Sequence, residues 1–179
     1  MEYRTFEGAD LEMRTVAGKR LLCGIMVPFG VNKQIDESLT ERFEPNAFRH
    51  QLRAANRIRL LTAHSNQPVH IQIGYGILLR EDTAGLYGEF RVTPGPFGDQ
   101  YLGLIGEGQA LQWSVGFVPD GNRMDGRVTV RTKATAFEQA MVPEGAYGEL
   151  AAVGAVRSAI PVLARDTLLA RLPKPHFPA

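Results

Sequence analysis

Apolar and polar positions alternate along the middle of the chain. In HIQIGYGILL, residues 70–79, the side chains Ile71, Ile73, Tyr75, Ile77 and Leu79 alternate with smaller or polar ones, a period of two that predicts a strand with one buried face. REDTAG breaks the run and LYGEFRV resumes it, with Leu86, Phe90 and Val92 facing one way, so the pair is expected to form a hairpin. ALQWSVGFV, GRVTVRT and AFEQAMV predict further strands separated by PDGNRMDG and KAT, and RLLCGIMVPFG and RIRLLTAH supply two more nearer the start. Six or seven short strands in a single domain point to a barrel or sandwich.

A period nearer 3.6 appears in three places. PNAFRHQLRAAN places Pro45 in a first turn, where its missing N–H is no loss, followed by good helix formers. DQYLGLIGEG has Tyr101, Leu104 and Ile105 at helical spacing and is ended by Gly106 and Gly108. IPVLARDTLLARL begins at Pro161 and predicts a C-terminal helix, and PKPHFPA after it is an irregular, proline-rich tail. The expected class is therefore mainly β with a few helices, with one domain over residues 1–157 and a C-terminal helix and Pro-rich tail over 158–179.

Composition narrows the function classes more than the fold. Twenty basic and nineteen acidic residues leave a formal charge of +1, so no global field advertises nucleic acid or an anionic membrane as partner. The single cysteine, Cys23, excludes an intrachain disulfide and sits in the apolar run LLCGIMV, where a buried thiol is expected. The start of the chain is charged and lacks the apolar core of a signal peptide, and no apolar run approaches the length of a membrane span. A soluble, cytosolic protein is the default expectation.

Few residues remain for chemistry. His50 falls on the polar side of a predicted helix and His176 in the tail. His64 and His70 flank SNQPV at a spacing that matches no zinc motif, so no metal site is expected. GLIGEG lacks the Lys-Ser/Thr of a phosphate-binding loop, and no organic cofactor is implied. Arg123, Arg127, Arg131 and Lys133 read as a solvated strand face. His64 closes the apolar stretch LLTAH beside a polar loop, a placement suited to a general base, although position alone favours a surface histidine capping a strand.

Ser114, in LQWSVGFV, is a weak nucleophile unless a base takes its proton. The order His64 then Ser114 is compatible with a triad, and the N–H groups of Val115 and Gly116 are candidates for an oxyanion site. A small residue packed into a strand explains the serine equally well. For a third member, Glu138 interrupts an apolar strand pattern where an unpartnered acid would be costly, and Glu89 in LYGEFRV is a rival with the same ambiguity. A lipocalin-like ligand barrel, which requires His64 and Ser114 to lie apart, also fits the strand pattern.

Taken in order, these segments resemble the prohead (capsid-maturation) proteases of tailed bacteriophages over about residues 20–157. GIMVPFG resembles the family's opening strand, and ERFEPNAFRHQL its E-x-F-x-P-G-A-F segment, with Asn46 where glycine is usual. LLTAHSNQP resembles the stretch with the catalytic histidine, with Ser65 where Asp is frequent, and EDTAGLYGEFRV its E-D-x-x-G-L-Y-x-E-F hairpin. GEGQALQWSVGFVP is similar to the segment with the nucleophilic serine, and FEQAMVPEGAYGELAAVGAVRS to L-x-E-V-S-L-V-x-x-P-A-Y and the short helix after it. No one motif is specific; their order and spacing together are much more so.

The resemblance implies an antiparallel β-barrel of the herpesvirus-assemblin type with helices packed around it. It also implies a serine endopeptidase with His64 as base, Ser114 as nucleophile and Glu138 as third member. Its substrates would be the phage scaffold protein, the amino-terminal extension of the major capsid protein, and the enzyme itself. It would work inside the prohead in the host cytoplasm, without metal or cofactor and without nucleic-acid or membrane partners, and a homodimer is a possible active form. The alternative within the same descent is an inactive barrel retained as a head-assembly or scaffold-binding module.

Overall fold

A computed structural model describes residues 1–5, 12–16, 19–107 and 112–142. The predicted C-terminal helix, the Pro-rich tail and the segment PEGAYGELAAVGAVRS with its expected short helix lie outside the described residues. Among the described residues the strands are β1 (Glu2–Thr5), β2 (Glu12–Val16), β3 (Lys19–Pro28), β4 (Lys33–Gln34), β5 (Thr40–Phe43), β6 (Arg59–Leu61), β7 (Gln72–Glu81), β8 (Gly85–Val92), β9 (Gln112–Asp125) and β10 (Val128–Val142), with one α-helix, α1 (Pro96–Gly106). All ten strands belong to one sheet that curls into a half-barrel, in the order β1-β9-β10-β6-β7-β8-β3-β2, with β5 also paired to β10 and β4 to β5. The sheet is mixed: β10 runs parallel to β5 and β6, and the remaining pairs are antiparallel. No helix among the described residues is long and apolar enough to cross a membrane.

The inner face holds one core. Trp113, Val115 and Phe117 of β9 alternate into it, and it also takes Leu22, Met26, Phe43, Phe48, Leu60 and Phe90. Aromatic edges lock the layers, Phe90 against Trp113 at 5.4 Å and Phe43 against Phe117 at 5.0 Å. Cys23 is buried in β3, as its apolar surroundings predict.

Several expectations change. GRVTVRT and AFEQAMV are one continuous strand, β10, and most of PDGNRMDG belongs to β9, whose hairpin with β10 turns at Gly126, φ 60°. On β7, Ile73 and Leu79 are buried, but Tyr75 and Ile77 are 36% and 41% exposed. Two bulges explain this, one opposite Leu60/Leu61 and one between Gly76 and Leu78, each moving the side-chain phase by one residue. Between them the inward positions are Gly74 and Gly76, where a Cβ would strike the carbonyl oxygens of Arg91 and Ala55.

The helix predicted from Pro45 is instead two short 3₁₀ turns, Arg49–Gln51 and Ala55–Arg57. The chain enters this segment through Asn46 at φ 73°, a left-handed conformation that interrupts any helix and that asparagine tolerates better than most residues. This accounts for asparagine standing where the family pattern has glycine.

Arg131 is not on a solvated face. It is buried, and its guanidinium bonds Glu41 at 2.6 Å, Glu2 at 2.8 Å and Asn122 at 3.0 Å. Arg4 from β1 bonds the same two carboxylates, and both guanidiniums lie within 6.0 Å of the Phe117 ring centroid. Buried charge of this kind is tolerated only when paired. Glu41→Gln, which leaves two buried guanidiniums sharing the partly exposed Glu2, is expected to lower unfolding stability by about 3 kcal/mol in urea titration. A loss within error of zero would show that the cluster is not needed for stability.

Candidate active site

The site is built where β9, β10 and β6 lie side by side. Ser114 alternates with Trp113 and Val115 and therefore points to the face away from the core. In β10, Ala136 pairs with Phe117, so a regular ladder would pair Glu138 with Val115 and turn it into the core. A bulge between Ala136 and Glu138 inserts Phe137, and Glu138 instead pairs with Gly116, on the face that carries Ser114. Its side chain crosses over Gly116. A Cβ there would come within 2.6 Å of the Glu138 Cγ and 2.9 Å of the Phe137 ring, so glycine is required for close approach.

His64 lies three residues beyond β6 rather than within a strand. Its loop is clamped at both ends: Thr62 N–H donates to the Ile71 carbonyl at 3.0 Å, and Ile71 N–H donates to Thr62 Oγ1 at 3.0 Å. From α1, the buried Tyr101 hydroxyl donates to the Thr62 carbonyl at 3.2 Å, and burial pushes this phenol upward in pKa, keeping it a donor. Ser65 N–H donates to Glu138 Oε1 at 3.0 Å, fixing the loop against β10.

The outcome is a linear relay. His64 Nδ1 lies 2.8 Å from Glu138 Oε1, and His64 Nε2 lies 2.6 Å from Ser114 Oγ. A carboxylate only accepts, so Nδ1 carries the proton and Nε2 is left to accept from the serine hydroxyl. Glu138 is 0% exposed and Ser114 2%. Burial holds the His64 pKa below the ordinary histidine value, opposed by its hydrogen bond to Glu138 and that carboxylate's charge. The imidazole is therefore neutral, and able to accept a proton, at pH values where a free histidine is partly charged.

Of the sequence candidates, the structure brings His64, Ser114 and Glu138 together. Glu89 does not join them: it lies on β8, where the Tyr87 hydroxyl donates to it at 3.2 Å. His70 is exposed and bonds the Gln67 carbonyl at 3.0 Å, and His50 contacts Thr135 at 2.9 Å. Val115 and Gly116 each pair with both β1 and β10, so their N–H groups lie in the plane of the sheet, one toward each neighbour. A ligand barrel with His64 remote from Ser114 is ruled out by the 2.6 Å contact. Sequence reasoning missed Arg59, whose Nη2 donates to Glu138 Oε2 at 3.3 Å from the paired position on β6. Among the described residues, no group of three His, Cys, Asp or Glu side chains could hold a metal ion.

A model of the caudovirus prohead serine protease family matches residues 9–159. The chain belongs to that family. Its fold is also similar to the capsid assembly protease gp21 of bacteriophage T4, with a TM-score of 0.58 at 12% identity, over 79% of this chain and 95% of that one. No curated protein matches the chain in sequence. The family is one of serine proteases, and within the matched residues Ser114, His64 and Glu138 form a hydrogen-bonded relay.

Gly116→Ala forces the Glu138 side chain aside without touching Ser114 or His64. It is expected to lower kcat by about tenfold to a hundredfold, with the fold retained by circular dichroism, because a small misplacement of a positioning group is costly. Unchanged kcat would show that the crossing of Glu138 over Gly116 does not matter to turnover.

Proposed function

We propose that this member of the prohead protease family is a serine endopeptidase that cuts the scaffold protein, the amino-terminal extension of the major capsid protein, or both, and also itself. It acts inside the prohead in the host cytoplasm. The observation that carries the reading is the single imidazole bonded at once to Ser114 Oγ and Glu138 Oε1. Ser114 attacks the scissile carbonyl while His64 Nε2 takes its proton, and Glu138 orients the ring and stabilises the imidazolium that forms. His64 then gives the proton to the leaving amine, and water, activated by the same imidazole, hydrolyses the acyl-enzyme. Arg59 and the Ser65 N–H hold the carboxylate in place.

An oxyanion site would draw on whichever of the Val115 and Gly116 N–H groups faces the outer edge of β9. No metal or cofactor enters this scheme. The curled sheet is read as a relative of the herpesvirus assemblin barrel, and a homodimer as a possible active form, on the strength of the family resemblance.

The test is co-expression with the cognate capsid and scaffold proteins. The wild type is expected to yield shortened products and Ser114→Ala uncut ones, with turnover lowered by about 10⁴-fold or more. Identical products from the two would remove the protease reading and leave a head-assembly module.

A further inference from the structure

Among the described residues β1 is an edge strand, and it lies on the strand that carries Ser114. It runs antiparallel to β9 with Glu2 opposite Phe117, Arg4 opposite Val115 and Thr5 opposite Ser114. A peptide chain in this position has its carboxyl-terminal end at the serine and its preceding residues along Val115 to Phe117. That is the approach a protease substrate needs, because an extended peptide added to a sheet edge gains main-chain hydrogen bonds from any sequence.

Three features make β1 exchangeable. Among the described residues it pairs with β9 alone, at one end of the strand order. Its side chains that reach the inner face, Glu2 and Arg4, are charged, so its departure uncovers no apolar side chain of its own. Those two charges cancel each other, and the Glu41–Arg131 pair at 2.6 Å remains behind, still paired. One of the Val115 and Gly116 N–H groups also faces this edge and becomes available to an arriving carbonyl when β1 leaves.

We propose that the β1-bearing edge of β9 is the docking edge for the peptide substrate, and that β1 is a resident strand which the substrate displaces. The proposal rests on the protease reading above. It also names a preference. A peptide in place of β1 sets an acidic residue beside Arg131 and, two residues on, a basic residue beside Glu41, as Glu2 and Arg4 do.

The full-length chain serves for the test. A peptidyl diphenyl phosphonate of sequence Glu-Tyr-Arg-Ala is compared with its charge-swapped Arg-Tyr-Glu-Ala isomer, and a small fluorophosphonate serves as control. The first is expected to label Ser114 at least fivefold faster than the second. In the labelled protein, hydrogen exchange is expected to show β1 amides losing protection while those of β10 keep it. Deleting residues 2–5 is expected to raise the peptide probe's labelling rate severalfold, and that of the small fluorophosphonate, which gains only the freed N–H, by less; an equal rise for both probes overturns the proposal.

Labelled protein with β1 amides still protected overturns the proposal, as does a small probe that reacts while the peptide probe does not. If neither reagent labels Ser114, the protease reading itself falls and the proposal with it.

Discussion

A carboxylate withdrawn completely from water must be given donors, and Glu138 receives them from three directions: the imidazole of His64, the backbone N–H of Ser65 and the guanidinium of Arg59. Each donor comes from or beside β6, the strand that lies parallel to β10 with Arg59 opposite Glu138. The acid thus ties the loop after β6 to the sheet, and in doing so sets His64 within reach of Ser114 on β9. Satisfying one buried charge fixes the geometry of the whole site.

Two backbone features make that placement possible, and each has a visible cost. The bulge at Phe137 breaks the β9–β10 ladder in order to turn Glu138 to the outer face, and Gly116 gives up a side chain so that the acid can cross it. Irregularities of this kind tend to accumulate beside sites that must aim a side chain. The rest of the strand remains regular, and Trp113, Val115 and Phe117 anchor it in the core on the opposite face.

The charged cluster over Phe117 on the core side of β9 has a different character. Glu41, Arg131, Glu2 and Arg4 bring together residues far apart in the chain, and only Glu41 and Arg131 belong to the permanent sheet interior if β1 is exchangeable. The same segment of β9 thus connects a fixed relay at Ser114 with an edge whose occupant can change.

Alternation along the chain identified the β7–β8 hairpin, the core face of β9 and the region of α1, because regular strands and helices write their period into the sequence. It failed wherever the backbone is irregular. The bulges of β7 put Tyr75 and Ile77 on the outer face, and non-helical backbone at Asn46, Phe48 and Ala54 divides a segment rich in helix formers. Arg131 read as solvated because its partners Glu41 and Glu2 are distant in sequence, and the charged strand β1 has no apolar alternation to reveal it. Glu138 stood out as an acid in an apolar run, but no period showed which face it would take, since a bulge decides that. Arg59 gave no signal at all, since only pairing across β6 and β10 brings it to the acid. The central claim is that Glu138 holds His64 as a neutral base facing Ser114, and nitrogen NMR of the His64 ring across a pH titration tests it most directly. The account predicts a proton on Nδ1 and none on Nε2, with charging only as pH falls below the ordinary histidine value of about 6.5. A proton on Nε2, or a midpoint above that value, would contradict it.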